Sequence, residues 1–156
     1  MMKKLILIIL GFLTCITAFG QVKCVSSNVD FEMSYKRTIV SNNAVIVDFL
    51  ITYYGNGSRE FSIEEGNTTI VYDDEGNIYR GYTTAGNTPT NIFANIGNSG
   101  SNKVVLQSEV PVKVRLTIKD VDEYATLFPK MELSCYFGDG KGWHPITISN
   151  VPIPRD

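Results

Sequence analysis

Apolar and polar residues alternate along most of this chain with a period of two, the signature of strands that turn one face to a core. Val29, Phe31, Met33 and Tyr35 alternate with Asp30, Glu32 and Ser34, and Val45, Val47, Phe49, Ile51 and Tyr53 carry the same rhythm further. In the second segment Ile46 and Leu50 are apolar as well, so that strand is expected to lie centrally, with Asp48 and Thr52 interrupting its other stripe. Asn42-Asn43 separates the two strands and Gly55-Asn56-Gly57-Ser58 ends the second. These residues tolerate turns, and hairpin connections are expected at both places. Phe61 and Ile63 mark a short strand. Thr69 to Tyr72 and Ile78 to Tyr82 flank Asp73-Asp74-Glu75-Gly76-Asn77, which reads as a hairpin turn.

From Gly86 to Asn102 the composition shifts to Gly, Asn, Ser and Thr, broken by Ile92-Phe93 and Ile96. A long loop with one short edge strand is expected there, and loops of this length are often functional. Val104 to Leu106 forms another short strand. Val112, Val114, Leu116 and Ile118 form a clear one, with Lys113, Arg115, Thr117 and Lys119 outward. Val121 to Phe128 lacks alternation; Asp120 to Asp122 suits the cap of a single helical turn closed by Pro129. Met131, Leu133, Cys135 and Phe137 then point to the core. A Gly-rich turn over 138–142 precedes a last strand with Ile146 and Ile148, ended by Pro152 and Pro154. About eight or nine short strands without a long helix predict an all-β, two-sheet antiparallel sandwich of immunoglobulin-like type, with a barrel as the alternative.

The N-terminus has a different pattern. Lys3-Lys4, an apolar run from Leu5 to Leu13 and Ala18-Phe19-Gly20 before Gln21 read as a cleavable signal peptide over residues 1–20. The run is about half the length of a membrane span, so no stable span is expected after cleavage, and the protein is expected to be periplasmic or secreted. Lipid attachment at Cys15 is disfavoured by Thr14, where such signals carry a small residue. The remaining domain, residues 21–156, has a length that buries a full core. Lys3 and Lys4 leave with the signal, so 12 of the 14 basic residues face all 16 acidic ones, a formal charge of −4. Without a basic run, nucleic acid is not an expected partner.

Loss of Cys15 leaves Cys24 and Cys135 as a disulfide candidate in an oxidising compartment. The bridge would close a loop of about 110 residues, with a chain-entropy ceiling of roughly 4–5 kcal/mol. Two separate buried thiols are the other reading.

Chemistry-bearing motifs are sparse. His144 is the single histidine, beside Trp143 and a Gly-rich turn, and no Gly-x-Ser-x-Gly elbow occurs. No catalytic residue, metal ligand set or cofactor is assigned. The acidic turn 73–77 offers oxygen ligands but lacks the spacing of an EF-hand, which favours a solvated turn. Among the aromatics, Trp143, Tyr79 and Tyr82 are the candidate binding residues, since exposed rings stack on sugars; filling of sheet faces is the competing role.

The central strand Val45 to Tyr54, the hairpin Val71 to Tyr79 and the pairing of Pro111-Val112-Lys113-Val114 with the tail Ile146 to Ile153 resemble uncharacterised exported immunoglobulin-like domains of Gram-negative bacteria. Those domains are akin to the fold of mycobacterial immunoprotective extracellular proteins. The resemblance implies a sandwich and brings no catalytic residues. The expected function is a non-enzymatic binding or interaction module for an envelope or host protein or a glycan. An envelope glycan-binding or hydrolytic protein is the alternative. Intact-mass analysis of the exported product is expected to read a chain that begins at Gln21 without palmitate; retention of residues 1–20, or a lipid on Cys15, refutes the signal assignment.

Overall fold

The computed structural model describes residues 20–65, 68–81 and 91–156. Residues 1–19 of the expected signal segment 1–20, Tyr82 and the start of the 86–102 stretch lie outside these residues. Eleven strands are present among them: β1 Lys23–Ser26, β2 Phe31–Ser41, β3 Ala44–Tyr53, β4 Ser58–Ile63, β5 Ile70–Tyr72, β6 Ile78–Arg80, β7 Ile92–Ile96, β8 Lys103–Gln107, β9 Val112–Lys119, β10 Leu127–Tyr136 and β11 Trp143–Pro152. They form two sheets paired antiparallel throughout, one of order β2-β3-β9-β7 and a seven-stranded one along β1-β11-β10-β4-β8. One edge of β10 serves two partners in succession: Lys130 to Glu132 pair with β5, which carries β6, and Cys135 and Tyr136 pair with β4. The expected sandwich is therefore present, with more strands than the alternation alone marks. No helix among the described residues is long and apolar enough to cross a membrane.

The core lies between the sheets, and alternation explains its composition. Val45, Val47, Phe49, Ile51 and Tyr53 of β3 are all buried, and Val45, Val47 and Phe49 lie opposite Ile118, Leu116 and Val114 of β9. Phe61, Leu106, Met131, Leu133, Ile146 and Ile148 meet them from the other sheet. Each such side chain contributes about 1.5–3 kcal/mol relative to exposure. β3 is central in its sheet, as its doubly apolar pattern requires.

Four expectations change. Val29 is 96% exposed, because β2 begins only at Phe31 and Val29 sits on the preceding turn. Gly55 to Ser58 does not close a hairpin: β3 and β4 belong to different sheets, so this connection crosses the sandwich. No helical turn forms near 120–128. Instead Asp122 Oδ1 accepts from Tyr124 N (2.9 Å), Ala125 N donates to Asp122 O (3.1 Å), and β10 is already extended at Leu127. Pro129, with no N–H for the ladder, sits inside that strand opposite Asn150, whose φ is 61°.

The fourth change concerns the cysteines, both of which are free. Cys24 lies opposite Ile148, which lies opposite Met131; Cys135 is four residues further along β10. Two strand spacings and four residues put the two roughly 16 Å apart, whereas a disulfide requires Cα atoms within about 7 Å. A bridge would require the sheet to be rebuilt. Burial pushes the Cys24 thiol up to about 11 and raises that of Cys135 as well, so both are protonated small hydrophobes.

The outer face of the four-stranded sheet carries a buried charge. A bulge between Tyr35 and Arg37 inserts Lys36 and sets Arg37 opposite Asp48, with Arg115 on the other flank. Asp48 is only 2% exposed. It accepts from Arg37 Nε at 2.9 Å and from Arg115 Nε and Nη2 at 2.7 and 3.0 Å. The Arg115 hydrogen bonds, opposed by desolvation and reinforced by Arg37, hold the carboxyl down to about 2. A depressed carboxyl stabilises the fold above its unfolded pKa, and that contribution disappears as pH falls from about 4 toward 2. Asp48→Asn is expected to cost about 2 kcal/mol near neutral pH and to flatten this part of the acid dependence, read by urea unfolding near pH 7 and about pH 3.

Candidate functional site

Four connections converge at one end of the sandwich: 27–30, 54–57, 108–111 and 137–142. Each is ordered by its own chemistry. In the first, Ser26 Oγ donates to Asn28 O (2.9 Å), Asn28 Oδ1 accepts from Asp30 N (3.0 Å), and Phe31 N donates to Asn28 O (3.1 Å). This turn holds Val29 at its tip. Tyr54 N donates to Asp30 O (2.8 Å), tying the second connection to the first, and Glu109 N donates to Tyr53 O (2.7 Å), bringing up the third. Tyr54 is 53% and Val110 51% exposed, so three apolar side chains gather at this end.

The fourth connection is held from below by Arg59. Its guanidinium lies over the Tyr53 ring, 5.6 Å from the centroid. Nη1 donates to Gly138 O at 3.1 Å and Nη2 to Tyr53 Oη at 3.4 Å. The Tyr53 hydrogen bond, with the nearby carboxylates of Asp139 and Asp30 adding to it, raises the guanidinium pKa further. Asp139 Oδ1 accepts from Lys141 N (3.0 Å), and His144 Nε2 lies 3.0 Å from Lys141 O, a carbonyl that only accepts, so Nε2 carries the hydrogen. Between the connections lies a depression of about 480 Å³, floored by Phe31, Tyr53 and Phe137 and walled by Asp30, Arg59, Asp139, Lys141 and His144. It offers both signs of charge over an aromatic floor, a composition that suits orientation of a polar ligand.

The aromatics singled out from the chain do not form one platform. Trp143 is 49% exposed, with its ring 5.8 Å from that of Tyr136, directly opposite it. Tyr79 is 5% exposed and lies opposite Val71, which lies opposite the buried Met131, so it faces the core side of the same sheet. Its hydroxyl donates to Asp73 Oδ2 (2.7 Å) and accepts from Asp122 N (3.0 Å), and burial pushes it up to about 12. Tyr79 therefore fills a sheet face and offers no ring to a sugar. Tyr82 lies outside the described residues.

The acidic segment is the expected hairpin turn, exposed from Asp74 to Asn77, and only Asp73 departs from a solvated loop. Asp73 is buried, and its carboxylate accepts from Glu75 N, Asn77 N and Asn77 Nδ2 at 3.0, 2.8 and 2.9 Å in addition to Tyr79. Asp74 accepts from Thr126 N and Oγ1 and from Leu127 N, contacts that lower its pKa against desolvation. These oxygens are occupied by protein donors. Among the described residues, no group of three or more acidic, histidine or cysteine side chains is placed to hold a metal.

Val29, Tyr54, Arg59 and Val110 are absent from the candidates that the chain suggests. A turn-rich segment beside each was the available signal, but which connections meet at one end depends on topology. Comparison with family models, with curated proteins and with solved structures finds no match. The site must be read from its own chemistry.

Two glycines of the fourth connection separate backbone strain from packing. Gly138 (φ 64°) would place a Cβ 2.7 Å from Glu60 O and 2.9 Å from Arg59 Cδ, whereas Gly140 (φ 72°) faces open space. Gly140→Ala is expected to cost about 1 kcal/mol for its positive φ alone, and Gly138→Ala at least about 2 kcal/mol. Urea midpoints of the two variants check this; equal losses would show that the contact with Arg59 and Glu60 does not hold the loop.

Proposed function

We propose that this chain is an exported, non-enzymatic binding module that meets its partner with the loop end of the sandwich. The observation that carries the reading is Val29, almost wholly exposed yet fixed at the tip of a hydrogen-bonded turn, with exposed Tyr54 beside it and the charged depression behind. Single exposed apolar residues are ordinary; several on ordered connections at one end, with Val29 lining a polar hollow, support the reading of a contact surface. The two-sheet sandwich is compatible with the exported immunoglobulin-like domains that the chain resembles. The apolar tip favours an envelope or host protein over a glycan as the ligand of this end.

Affinity capture from bacterial envelope and from host mucosal extract tests this, with wild-type residues 21–156 beside a Val29→Asp/Tyr54→Ser variant. A protein retained by the wild type and lost with the variant, while both unfold at the same urea concentration, is the expected result. Identical captured sets would overturn the assignment of the loop end.

A further inference from the structure

We infer that the outer face of the four-stranded sheet is a binding track for a carboxylate-bearing polysaccharide, separate from the loop end. Directly opposed residues of neighbouring strands share a face, so the register maps this surface in rows. One row runs Arg37, Asp48, Arg115, Asn95 across β2, β3, β9 and β7. The next runs Ile39, Ile46, Thr117, Phe93; beyond it lie Ser41, Ala44 and Lys119, and on the other side Ser34, Leu50 and Lys113. Along β9 this gives Lys113, Arg115, Thr117 and Lys119 in a line, with steps of about 7 Å between alternate residues. Lys113 and Lys119 of the line are exposed, and Arg115 and Thr117 half-buried.

The charge of this face is opposite to that of the rest of the domain. Its strand positions hold four basic residues, Arg37, Lys113, Arg115 and Lys119, against Asp48 and Glu32. The remainder of residues 21–156 then has eight basic and fourteen acidic residues. Asp48 offsets one guanidinium and fixes both. Arg37 uses only Nε toward it, and its side chain is 60% exposed, so its two terminal amino groups face solvent as a planar fork suited to a carboxylate.

Hydroxyl-binding groups stand along the same track. At one end of the line Ser41, Asn42, Asn43 and Lys119, together with the carboxylate of Asp120, edge a hollow of about 330 Å³. In the central row stands Asn95, whose Oδ1 is buried with no hydrogen-bond partner among the described residues. The apolar residues Ile39 and Phe93 are little more than one-third exposed, and Lys119 Nζ lies 4.5 Å from the Phe93 ring centroid. The face thus offers no protruding aromatic anchor of the kind on which protein interfaces rely. Regular cations with amide and hydroxyl groups fit a hydrated chain of acidic sugars better than a peptide.

Fluorescent polygalacturonate is the probe, with neutral dextran and polyglutamate as comparisons, titrated against residues 21–156. Polygalacturonate is expected to bind, to weaken as salt rises, and to lose roughly tenfold or more in affinity with Lys113→Glu/Lys119→Glu. Asn43→Ala, which leaves the charge unchanged, is expected to weaken it too. Val29→Asp/Tyr54→Ser is expected to bind as the wild type does, so failure here and failure of the loop end are read independently. Absence of polygalacturonate binding, equal or tighter binding of polyglutamate, or wild-type affinity in the lysine and Asn43 variants would each overturn the proposal.

Discussion

Four aromatic rings join the two sheets. Phe31 and Tyr53 come from the four-stranded sheet, Phe61 from the other, and Phe137 follows the last residue of β10; Phe31 lies 5.0, 5.7 and 4.8 Å from Tyr53, Phe61 and Phe137, and the last two are 5.8 Å apart. Tilted and stacked contacts of this kind contribute about 0.5–1.5 kcal/mol each beyond the area they bury. Their placement matters more than their sum. Phe31 ends the first connection of the loop end, Tyr53 begins the second, and Phe137 begins the fourth, so closing the sandwich also sets the positions from which these loops leave. Arg59, stacked on Tyr53 and bonded to Gly138 O, extends the same cluster into the loop that carries Lys141.

The opposite end is built on another principle. There carboxylates are taken up by protein donors: Asp73 gathers those of its own hairpin and of Tyr79, Asp74 holds the 126–127 backbone, and Asn77 Nδ2 reaches Asp122 Oδ2 at 3.2 Å. Arg155 closes the arrangement by donating to Ala125 O and Asp122 O at 2.8 and 2.6 Å. A carboxylate that already accepts several hydrogen bonds loses them on taking a cation. The acidic end is therefore a clasp between the β5–β6 hairpin and the turn before β10.

Where strands are long and alternate cleanly, their faces were legible in the chain: the buried sets of β3 and β9, and Cys135 on the core side of β10, follow from period two. The misreadings have specific causes. Alternation at Val29 runs on into a turn, because period two describes side chains and cannot mark where Ser26 and Asn28 capture the backbone. Asp120 to Asp122 has the composition of a helix cap, but the same carboxyl chemistry also makes an Asx turn, and pairing of β10 with β11 favours the extended form. An even cysteine count carries no geometry, whereas strand order sets Cys24 and Cys135 too far apart to bond. Tyr79 and Trp143 are alike in composition and differ only in the sheet face they occupy. The loop end depends on which connections converge, and that is a property of topology, not of local sequence.

The bulge at Lys36 connects the fold to the chemistry of the sheet face. In a regular ladder continuing from the Tyr35 and Phe49 pair, Lys36 would stand opposite Asp48, and a flexible ammonium would face the carboxylate beside Arg115. With the bulge, Asp48 is flanked by two guanidinium groups, one from each neighbouring strand. A carboxyl held down to about 2 stays ionised near neutral pH, so its contacts with both guanidinium groups persist there. A pinned arginine has little side-chain freedom left to lose when a ligand arrives, which lowers the cost of binding at that position. The buried acid thus serves as the fixed point from which the positive face is arranged, and a one-residue irregularity in β2 is what creates it.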